Sequence, residues 1–321
     1  MTATGRQAGP LERYANNSPT AGQSPRESRY ERRGLLWAES SLERIRKCGR
    51  TPVQTGGVAL RVRDGVAGFA GLSTCSSIWA DPVCNAKIMA RRALEIGAAV
   101  ALWQAQGGSV VLLTLTERHR LGEPLGALWD DVAYAWSSVT RGRPWDSDRS
   151  AYGVAGFLRL AEVTIGRNGW HPHLHALLFI EPTAEVVDVA RLHARVFERW
   201  SRALNRRGRL AVMAASDAHL VTGPADETLS AYLTKSVDRA KSIGVEVTWS
   251  QSKSTRTDLS TETPWVLLDR IQEGDADALD LWHEWERASR GRRAHTWSQG
   301  IRDRLTLAAE KSDEELSLIH I

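Results

Sequence analysis

The chain has 321 residues, of which 42% are hydrophobic and 25% are charged, the balance of a globular protein that folds in water. Its longest apolar runs, residues 110–113 and 176–180, are far shorter than the ~20 residues that span a bilayer, and its first ten residues lack the apolar core of a signal peptide. The three cysteines are an odd count that fits a reducing compartment. We therefore expect a cytoplasmic protein with no membrane partner.

The charge is unevenly distributed along the chain. Residues 1–108 contain 15 basic and 8 acidic side chains, whereas residues 246–321 contain 10 basic and 15 acidic ones. Thirty-six of the 42 basic residues are arginine, whose guanidinium suits two-point contacts with phosphate. This asymmetry favours an acidic partner such as nucleic acid.

Hydrophobic periodicity and turn residues predict helices around a few central strands. Residues 1–34 are polar and rich in Gly, Pro and Ser, so we expect a disordered head. The predicted strands are residues 109–116, 156–165, 173–180, 211–214, 219–222 and 245–249. The predicted helices are residues 35–47, 85–106, 125–140, 184–204, 226–242, 265–272, 276–289 and 301–309.

Strands that concentrate in the middle of a chain indicate an α+β fold with a central antiparallel sheet flanked by helices. After the head we expect a basic N-terminal region at residues 35–108, the sheet region at 109–249, and a helical C-terminal part at 250–321. The sheet region holds the residues with the most informative chemistry.

The clearest motif is the run Trp-His-Pro-His-Leu-His at residues 170–175, followed by an apolar stretch. Side chains alternate between the faces of a strand, so His171, His173 and His175 point the same way. Imidazoles in such a row can supply several nitrogens to one divalent ion. The pattern predicts a metal site, with solvated histidines at a polar strand end as the alternative.

Asn168-Gly169 separates the two apolar runs and predicts a hairpin. With these two residues as the turn, Glu162 faces His175 and Thr164 faces His173. Glu162 would then orient an imidazole or touch the ion. A three-residue loop would break this pairing.

His119 and Glu123 directly follow the predicted strand at residues 109–116. A neighbouring strand would bring them beside the histidine row as further metal ligands. An ordinary surface histidine is the alternative for His119.

Three segments, in this order, resemble motifs 1, 2 and 3 of rolling-circle plasmid replication initiators. They are Leu-Thr-Leu-Thr-Glu-Arg-His at 113–119, Gly-Trp-His-Pro-His-Leu-His-Ala-Leu-Leu-Phe at 169–179 and Ala-Tyr-Leu-Thr-Lys at 231–235. These initiators are HUH endonucleases, and the likeness is greatest to those of actinobacterial plasmids. It extends over about residues 48–315 and includes Gly-Arg-Arg-Ala-His-Thr-Trp-Ser at 291–298.

The resemblance implies that residues 109–249 form a nicking domain whose central strand presents His173 and His175 to Mg²⁺ or Mn²⁺, with His119 completing the site. Family members often carry Asp after the motif 1 histidine, whereas the nearest acid here is Glu123. The role of Glu123 is therefore open. Host helicase and polymerase are implied partners, together with plasmid origin DNA.

The resemblance also implies that Tyr232 is the nucleophile that nicks one strand and later rejoins it, through a 5′-phosphotyrosine and a free 3′-OH. Lys235 lies three residues further on, on the same face of a helix, where its ammonium would lower the pKa of the phenol or screen the phosphate. The alternative is that Tyr232 packs at the edge of the core. No second tyrosine lies near it, and Glu227 is five residues earlier, so the residue that ends the cycle is open.

Similar initiators often show Cys-Pro-x-Cys before the catalytic segment, as part of a zinc ribbon. This chain has Asp81 where the first cysteine of that pair would be, followed by Cys84, with Cys48 and Cys75 upstream. Zinc accepts carboxylate oxygen as well as sulfur, so the resemblance implies a site with three cysteines and an aspartate. Three reduced thiols are the alternative.

Two further features are a basic stretch and an unusual end. Five arginines lie within eleven residues: Arg199, Arg202, Arg206, Arg207 and Arg209. They form a predicted patch that follows the phosphate backbone, with a solvated charged face as the alternative. The last six residues, Leu-Ser-Leu-Ile-His-Ile, fit no predicted element. Relatives continue past the preceding acidic run, so we expect a truncated or foreign end.

The sequence therefore predicts a metal-dependent, site-specific endonuclease and strand transferase that starts plasmid replication. A relaxase or a single-strand transposase would use the same chemistry, although a relaxase tyrosine usually precedes the histidine motif. A hydrolase with a structural Tyr232 and a non-catalytic DNA-binding regulator with a structural metal are the other classes. Only a phosphotyrosine enzyme forms a covalent DNA adduct.

Overall fold

The structure, a computed structural model, describes residues 25–53, 57–63, 66–182, 188–223, 226, 229 and 261–318. Within these ranges the chain forms ten α-helices and seven β-strands. The largest sheet has five strands and is flanked by helices, so the predicted α+β class is confirmed. None of the described helices is long and apolar enough to cross a membrane.

The five-stranded sheet has the histidine strand at its centre. Its members are β3 (Ser109–Thr116), β4 (Val154–Gly166), β5 (Gly169–Ile180), β6 (Asp217–Leu220) and β7 (His295–Trp297). They lie in the order β6-β3-β5-β4-β7, and every neighbouring pair is antiparallel. The strand predicted at 109–116 is confirmed, and β4 and β5 are longer than predicted. The strand predicted at 211–214 is wrong, because Met213–Ala215 is a 3₁₀ turn.

The β4–β5 hairpin turns one residue earlier than predicted, which shifts its register by two residues. Gly166 pairs with Gly169, so Arg167 and Asn168 form the turn. Neither has a positive φ, whereas Gly169 has a φ of +83°, the left-handed region that glycine adopts without strain. The turn places Glu162 opposite His173 and Thr164 opposite His171. The predicted pairings of Glu162 with His175 and of Thr164 with His173 are therefore wrong.

Helices cover both faces of the sheet. On one face, apolar residues of α3 (Pro82–Ala105) and α9 (Ile301–Arg304) pack against Leu177 and Phe179 of β5, which lie on the same face as the histidines. On the other face, α4 (Leu125–Val139), α5 (Gly142–Tyr152) and α6 (Val189–Asn205) pack against Leu174 and Leu178. Helix α5 was not predicted, and it buries Trp145 in this second layer.

The N-terminal part is more ordered than expected. Its elements are α1 (Pro25–Glu39), α2 (Glu43–Lys47) and a two-stranded ribbon of β1 (Ala59–Arg63) and β2 (Val66–Ala70). The predicted disorder of residues 25–34 is wrong, because α1 buries Leu36 and its Arg32 forms a two-point ion pair with Asp269 at 2.7 Å. Residues 1–24 lie outside the described residues.

The C-terminal part is mainly helical, as predicted. It contains α7 (Val266–Gln272), α8 (Ala276–Ser289), the short α9 and α10 (Asp313–Leu318). Leu316 is buried and Ser317 hydrogen bonds with Ser76 at 2.8 Å. These two residues of the unusual end therefore belong to a packed helix, against expectation. Most of the predicted helix at 226–242, and the predicted strand at 245–249, lie outside the described residues.

Candidate active site

The candidate site begins with the row of imidazoles on β5. His171 and His173 have ring centroids 4.9 Å apart, and His173 and His175 have theirs 5.1 Å apart. The row lies at the turn end of the strand, where the burial of both faces gives way to alternating burial. Toward the other end the same face continues into the apolar cluster that contains Leu177 and Phe179. The fold therefore places the histidines at the border between core and solvent.

Glu162 of β4 joins two of these histidines. Its Oε2 lies 3.2 Å from Nε2 of His173 and 3.0 Å from Nε2 of His175. Ligand atoms of these three residues all lie within 4.8 Å of one another. We call Glu162, His173 and His175 the metal trio. Although the pairing of Glu162 differs from the predicted one, its carboxylate reaches both imidazoles.

The tautomers of both histidines follow from their second contacts. Nδ1 of His173 lies 3.2 Å from the carbonyl oxygen of His171, which only accepts, so this Nδ1 carries the proton. Nδ1 of His175 lies 3.0 Å from the hydroxyl of Thr114, which can accept the same kind of bond. Each imidazole then holds Nε2 toward the carboxylate, where it donates a hydrogen bond while protonated and would offer its lone pair to a bound cation, the arrangement that metal-binding histidines need.

The charge of the trio is fixed by its own members. Burial alone would raise the pKa of Glu162, but the imidazoles of His173 and His175 outweigh it and hold this pKa well below its ordinary range. Glu162 is therefore a carboxylate at neutral pH. With both imidazoles in their neutral form, their two nitrogens and the carboxylate make a donor set that divalent cations accept.

The trio also passes a distance test for an octahedral ion. Ligands ~2.1 Å from such an ion, in adjacent positions, are separated by about 3.0 Å. The two N···O distances, 3.0 and 3.2 Å, match that separation. The residues present therefore fit Mg²⁺ or Mn²⁺.

His119 and His171 extend the row but do not join the trio. The ring of His119 stacks on that of His171 at 4.7 Å, which places His119 at the end of the row farthest from His175. Burial lowers the pKa of His119 and lowers that of His171 to about 3, with a smaller contribution from neighbouring imidazoles. Both rings are thus neutral at pH 7.

Glu123 is used elsewhere. Its carboxylate accepts from the backbone N–H of Arg120 at 2.7 Å and from Arg209 at 2.5 Å. These partners hold its pKa below the ordinary value, although burial opposes them. The structure thus brings Glu123 into an ion pair rather than to the metal trio.

Sequence reasoning missed two groups on or next to β3. Thr114 holds His175, and the signal for it was the pairing of its strand with the histidine strand. Glu117 is buried, and neither of its oxygens hydrogen bonds with a described residue. Burial, reinforced by Asp131 and Glu123 against Arg209, raises the pKa of Glu117 to about 8.

Tyr232 and Lys235 lie outside the described residues, as does Glu227. The nearest described residue to Tyr232 is Leu229, which is buried in the apolar cluster on the histidine face. The backbone N–H of Leu229 donates to Asp226 at 3.2 Å. The chain therefore passes over the histidine face three residues before the tyrosine.

The cysteines form a second donor cluster. Sγ of Cys84 lies 3.6 Å from Sγ of Cys48 and 3.7 Å from that of Cys75, and Sγ of Cys75 lies 3.4 Å from Oδ2 of Asp81. All four residues are buried, and the sulfurs are too far apart for disulfides. We call these four residues the cysteine cluster.

The cysteine cluster has the dimensions of a tetrahedral zinc site. Sulfurs ~2.3 Å from zinc are separated by about 3.8 Å, and a sulfur and a carboxylate oxygen by about 3.5 Å. Asp81 also caps α3, because its Oδ1 accepts from the backbone N–H groups of Val83 and Cys84 at 2.8 and 2.9 Å. Its two oxygens thus have separate tasks.

The thiols also differ in protonation. Hydrogen bonds from Cys48 and Cys75 lower the pKa of Cys84 to about 2. Hydrogen bonds to both neighbouring sulfurs, together with burial, raise the pKa of Cys75. The bond with Cys75 lowers the pKa of Cys48, but the bond with Cys84 and burial outweigh it and raise that pKa. Burial raises the pKa of Asp81. Without a cation, buried anions in this cluster repel one another, and a bound divalent ion reverses that balance.

The predicted arginine patch consists mainly of ion pairs. Arg199 pairs with Asp148 and Arg202 with Glu198. Two further members share one buried carboxylate, since Arg207 and Arg209 each lie 2.7 Å from Asp131. Among the described residues, only Arg206 of the five lacks such a partner. The patch therefore carries far less free positive charge than its sequence indicates.

The chain is similar to a protein named "Protein rep" from Streptomyces lividans, with 30% identity over 335 aligned residues that cover 83% of this chain and 71% of that protein. It is also similar to a "Neomycin resistance protein" from Streptomyces cyanogenus, with 33% identity over 150 residues that cover 39% of this chain and 34% of that protein. No protein-family model and no solved structure matches the chain. The extent of the first match, together with the ordered motifs, shows that the chain belongs to the Rep family of actinobacterial plasmid replication initiators.

Proposed function

We propose that this Rep protein starts rolling-circle replication by nicking one strand of the plasmid origin, with Tyr232 as nucleophile and a divalent cation held by the metal trio. The main observation for the proposal is that Oε2 of Glu162 lies 3.2 Å from Nε2 of His173 and 3.0 Å from Nε2 of His175. A merely structural strand end does not require two imidazoles and a carboxylate with matched tautomers.

The bound Mg²⁺ or Mn²⁺ would polarise the scissile phosphate and stabilise the charge that develops on its oxygens. Thr114 and the carbonyl of His171 hold the two imidazoles in one tautomer and one orientation. Glu162 supplies the negative charge that balances the cation. His119 and His171, neutral at pH 7, line the path beside the trio and are candidates for a further ligand or for contact with the DNA strand.

In the proposed reaction the hydroxyl oxygen of Tyr232 attacks phosphorus and loses its proton. The bond between phosphorus and O3′ breaks, O3′ takes up a proton, and the products are a 5′-phosphotyrosine and a free 3′-OH. Lys235 would screen the phosphate or lower the pKa of the phenol. Attack of a 3′-OH on the phosphotyrosine reverses the bond changes and rejoins the displaced strand.

The position of Leu229 supports this assignment. Leu229 is buried on the histidine face, and three residues of chain span at most about 11 Å. The described chain therefore lies on the sheet face that carries the trio three residues before Tyr232. The described tyrosines lie elsewhere: Tyr134 is exposed on α4 under the guanidinium of Arg207.

A free 3′-OH is the substrate of a DNA polymerase, and extending it requires that the duplex be unwound. Host polymerase and helicase are therefore the partners that the proposed reaction needs, in the cytoplasm where the plasmid resides. Among the alternatives, a relaxase or transposase would share the adduct but not the replication role of the Rep family.

We also propose that the cysteine cluster holds a structural zinc ion. Four buried donors at tetrahedral separations leave no position for a substrate, which is the arrangement of a structural rather than a catalytic site. The ion would tie α2, the ribbon that follows it and the start of α3 into one unit.

The test uses labelled single-stranded oligonucleotides that tile the origin of the replicon encoding the chain. Wild type should form a covalent adduct that survives denaturation and requires Mg²⁺ or Mn²⁺. Tyr232→Phe should bind the same DNA and form no adduct, and the His173→Ala, His175→Ala double variant should lose cleavage while remaining folded. Tyr134→Phe is the matched control and should stay active. An adduct with Tyr232→Phe, or full nicking by the double histidine variant, would refute the mechanism.

A further inference from the structure

A second group of arginines lies at the end of α8 and in the loop that leads into β7. Arg287, Arg290 and Arg293 are exposed, and none of them pairs with a carboxylate within the described part of the chain. They belong to the segment around residues 291–298, to which the proposed nicking chemistry gives no role. Unpaired guanidiniums on a surface are available to bind phosphate.

The backbone of this loop is fixed from three sides. The indole N–H of Trp79 donates to the carbonyl of Arg292, the guanidinium of Arg159 donates to the carbonyl of Arg293, and the N–H of Ala161 donates to the carbonyl of Ala294, each at 2.8 Å. The exposed arginines therefore extend from a rigid base. Binding to them requires no ordering of the loop, which would otherwise weaken affinity.

Arg292 is the structural member of the loop. Its guanidinium lies 4.9 Å from the ring centroid of Trp129, pairs with Asp130 at 2.8 Å and donates to the carbonyl of Ala288 at 2.6 Å. Its neighbours Arg290 and Arg293 have no such contacts with any residue that the structure describes. Arg292 thus anchors the loop, whereas Arg290 and Arg293 are exposed to solvent.

An open groove of about 740 Å³ runs between the end of α8 and the start of α4, and Arg287, Arg290 and Arg292 line it. Two acids also line it. The carboxylate of Glu284 accepts hydrogen bonds from the N–H groups of Leu125 and Trp170, at 2.7 and 2.9 Å. Asp280 is therefore the exposed acid of the groove. The groove and the adjacent Arg293 are therefore net basic.

We infer that Arg287, Arg290 and Arg293 form a surface that binds the phosphate backbone of double-stranded DNA beside the nicked strand. The inference rests on the proposed function, because nicking at the plasmid origin supplies the duplex that flanks the cut. The loop packs on Trp129 of α4, a helix on the sheet face opposite the histidines. Arg287 and Arg290, at the end of α8, thus lie on the side of α4 and suit the flanking duplex rather than the scissile phosphate.

The contrast with the predicted patch at residues 199–209 supports this assignment. Phosphate binding depends on the cations that DNA can neutralise, and four of the five arginines of that patch are already paired with Asp131, Asp148 or Glu198. The loop after α8 offers three cations without that competition.

The test compares two triple variants that remove the same charge. The Arg287→Ala, Arg290→Ala, Arg293→Ala variant should bind a 30-base-pair duplex of arbitrary sequence at least tenfold more weakly at moderate salt. Its slope of log K against log salt should flatten by roughly 0.9 for each lost phosphate contact. The Arg195→Ala, Arg202→Ala, Arg207→Ala variant, whose arginines are paired with carboxylates, should change the slope by less than one lost contact.

Adduct formation on single-stranded origin oligonucleotides separates this inference from the proposed function. The first variant should form the adduct at the wild-type rate. If the wild-type protein forms no adduct and the first variant still shows the predicted loss of duplex binding, the nicking mechanism is refuted and the inference about this surface stands. An unchanged salt slope, an equal loss in both variants, or a loss confined to single-stranded DNA would overturn the inference. Single Arg→Gln variants at the three positions provide the same comparison if the triple variant does not fold.

Discussion

The cysteine cluster and the metal trio differ in how completely the protein surrounds them. The cysteine cluster offers four buried donors at tetrahedral separations, whereas the trio offers three donors, two of which are only partly buried. A fully surrounded ion has no position left for substrate, and an ion with three protein ligands retains positions for water or phosphate. Burial and donor number therefore separate a site that holds the fold together from a site that performs chemistry.

The largest expected effect is a loss of stability, and it is expected from Cys84→Ser, which removes one donor of the cysteine cluster. We expect loss of zinc and a fall in melting temperature on the order of 10 °C, because the free energy of metal binding contributes directly to folding. Zinc content and thermal unfolding, with and without a chelator, measure the effect. His173→Ala should retain zinc and melt within about 2 °C of wild type. A wild-type protein that contains no zinc and is insensitive to chelation would contradict the closed-site interpretation.

A smaller effect, on binding rather than on folding, is expected from Glu162→Gln. The amide keeps the shape of the side chain and removes its charge, so affinity for Mn²⁺ should fall by about 100-fold or more. Calorimetry or electron paramagnetic resonance of Mn²⁺ measures this affinity, and the zinc content should not change. Glu198→Gln, at an exposed position of α6, is the matched control. Equal Mn²⁺ affinity in the two variants would remove Glu162 from the site.

Thr114→Val tests whether the orientation of an imidazole matters in the open site. Valine keeps the branched shape and removes the hydroxyl that lies 3.0 Å from Nδ1 of His175. Loss of such a supporting hydrogen bond reduces metal affinity or activity by roughly 10-fold or more. Thr114→Ser should restore most of the wild-type value. If serine and valine behave alike, the hydroxyl has no positioning role.

A pH-dependent effect on stability is expected from His295, which shares the histidine face but has no carboxylate partner within the described residues. Burial lowers its pKa from 6.5 to about 3, with minor contributions from Arg92 and Arg159. Between these values the unfolded chain holds a proton that the folded chain does not, so stability is intact above pH 6.5 and is lost as the pH falls toward 3. Urea unfolding should show a loss of up to about 2 kcal/mol between pH 7 and 5, which His295→Phe should reduce. Identical pH dependence in the two proteins would count against this role of His295.

Local patterns predicted the elements whose contacts are local. Strand 109–116 and the helices at 125–139 and 276–289 have the periodicity expected of their burial, and the structure agrees with them within a residue. The hairpin was predicted, but its register was wrong by two residues. Asn168-Gly169 is the usual signal for a two-residue turn, whereas here Arg167-Asn168 turns and Gly169 supplies the left-handed residue that follows.

Contacts between residues far apart in the chain explain which features could not be predicted from the sequence. Helix α1 looked disordered because nothing nearby indicates that Arg32 meets Asp269, 237 residues away. The arginine patch looked free because its carboxylate partners, Asp131 and Asp148, belong to α4 and α5. The two histidines of the trio were predicted to lie together because motif and alternation place them, while the supporting Thr114 required knowledge of which strand pairs with β5.

The confinement of the metal trio to a single hairpin bears on how the protein folds. Glu162 and His175 are 13 residues apart, whereas Cys48 and Cys84 are 36 residues apart. Loop closure alone favours the shorter span by about 0.9 kcal/mol, and contacts of low sequence separation form first. Thr114 reaches His175 across 61 residues. We therefore expect the donors of the trio to meet early, as the hairpin forms, and the hydroxyl that orients them to arrive only when β3 completes the sheet.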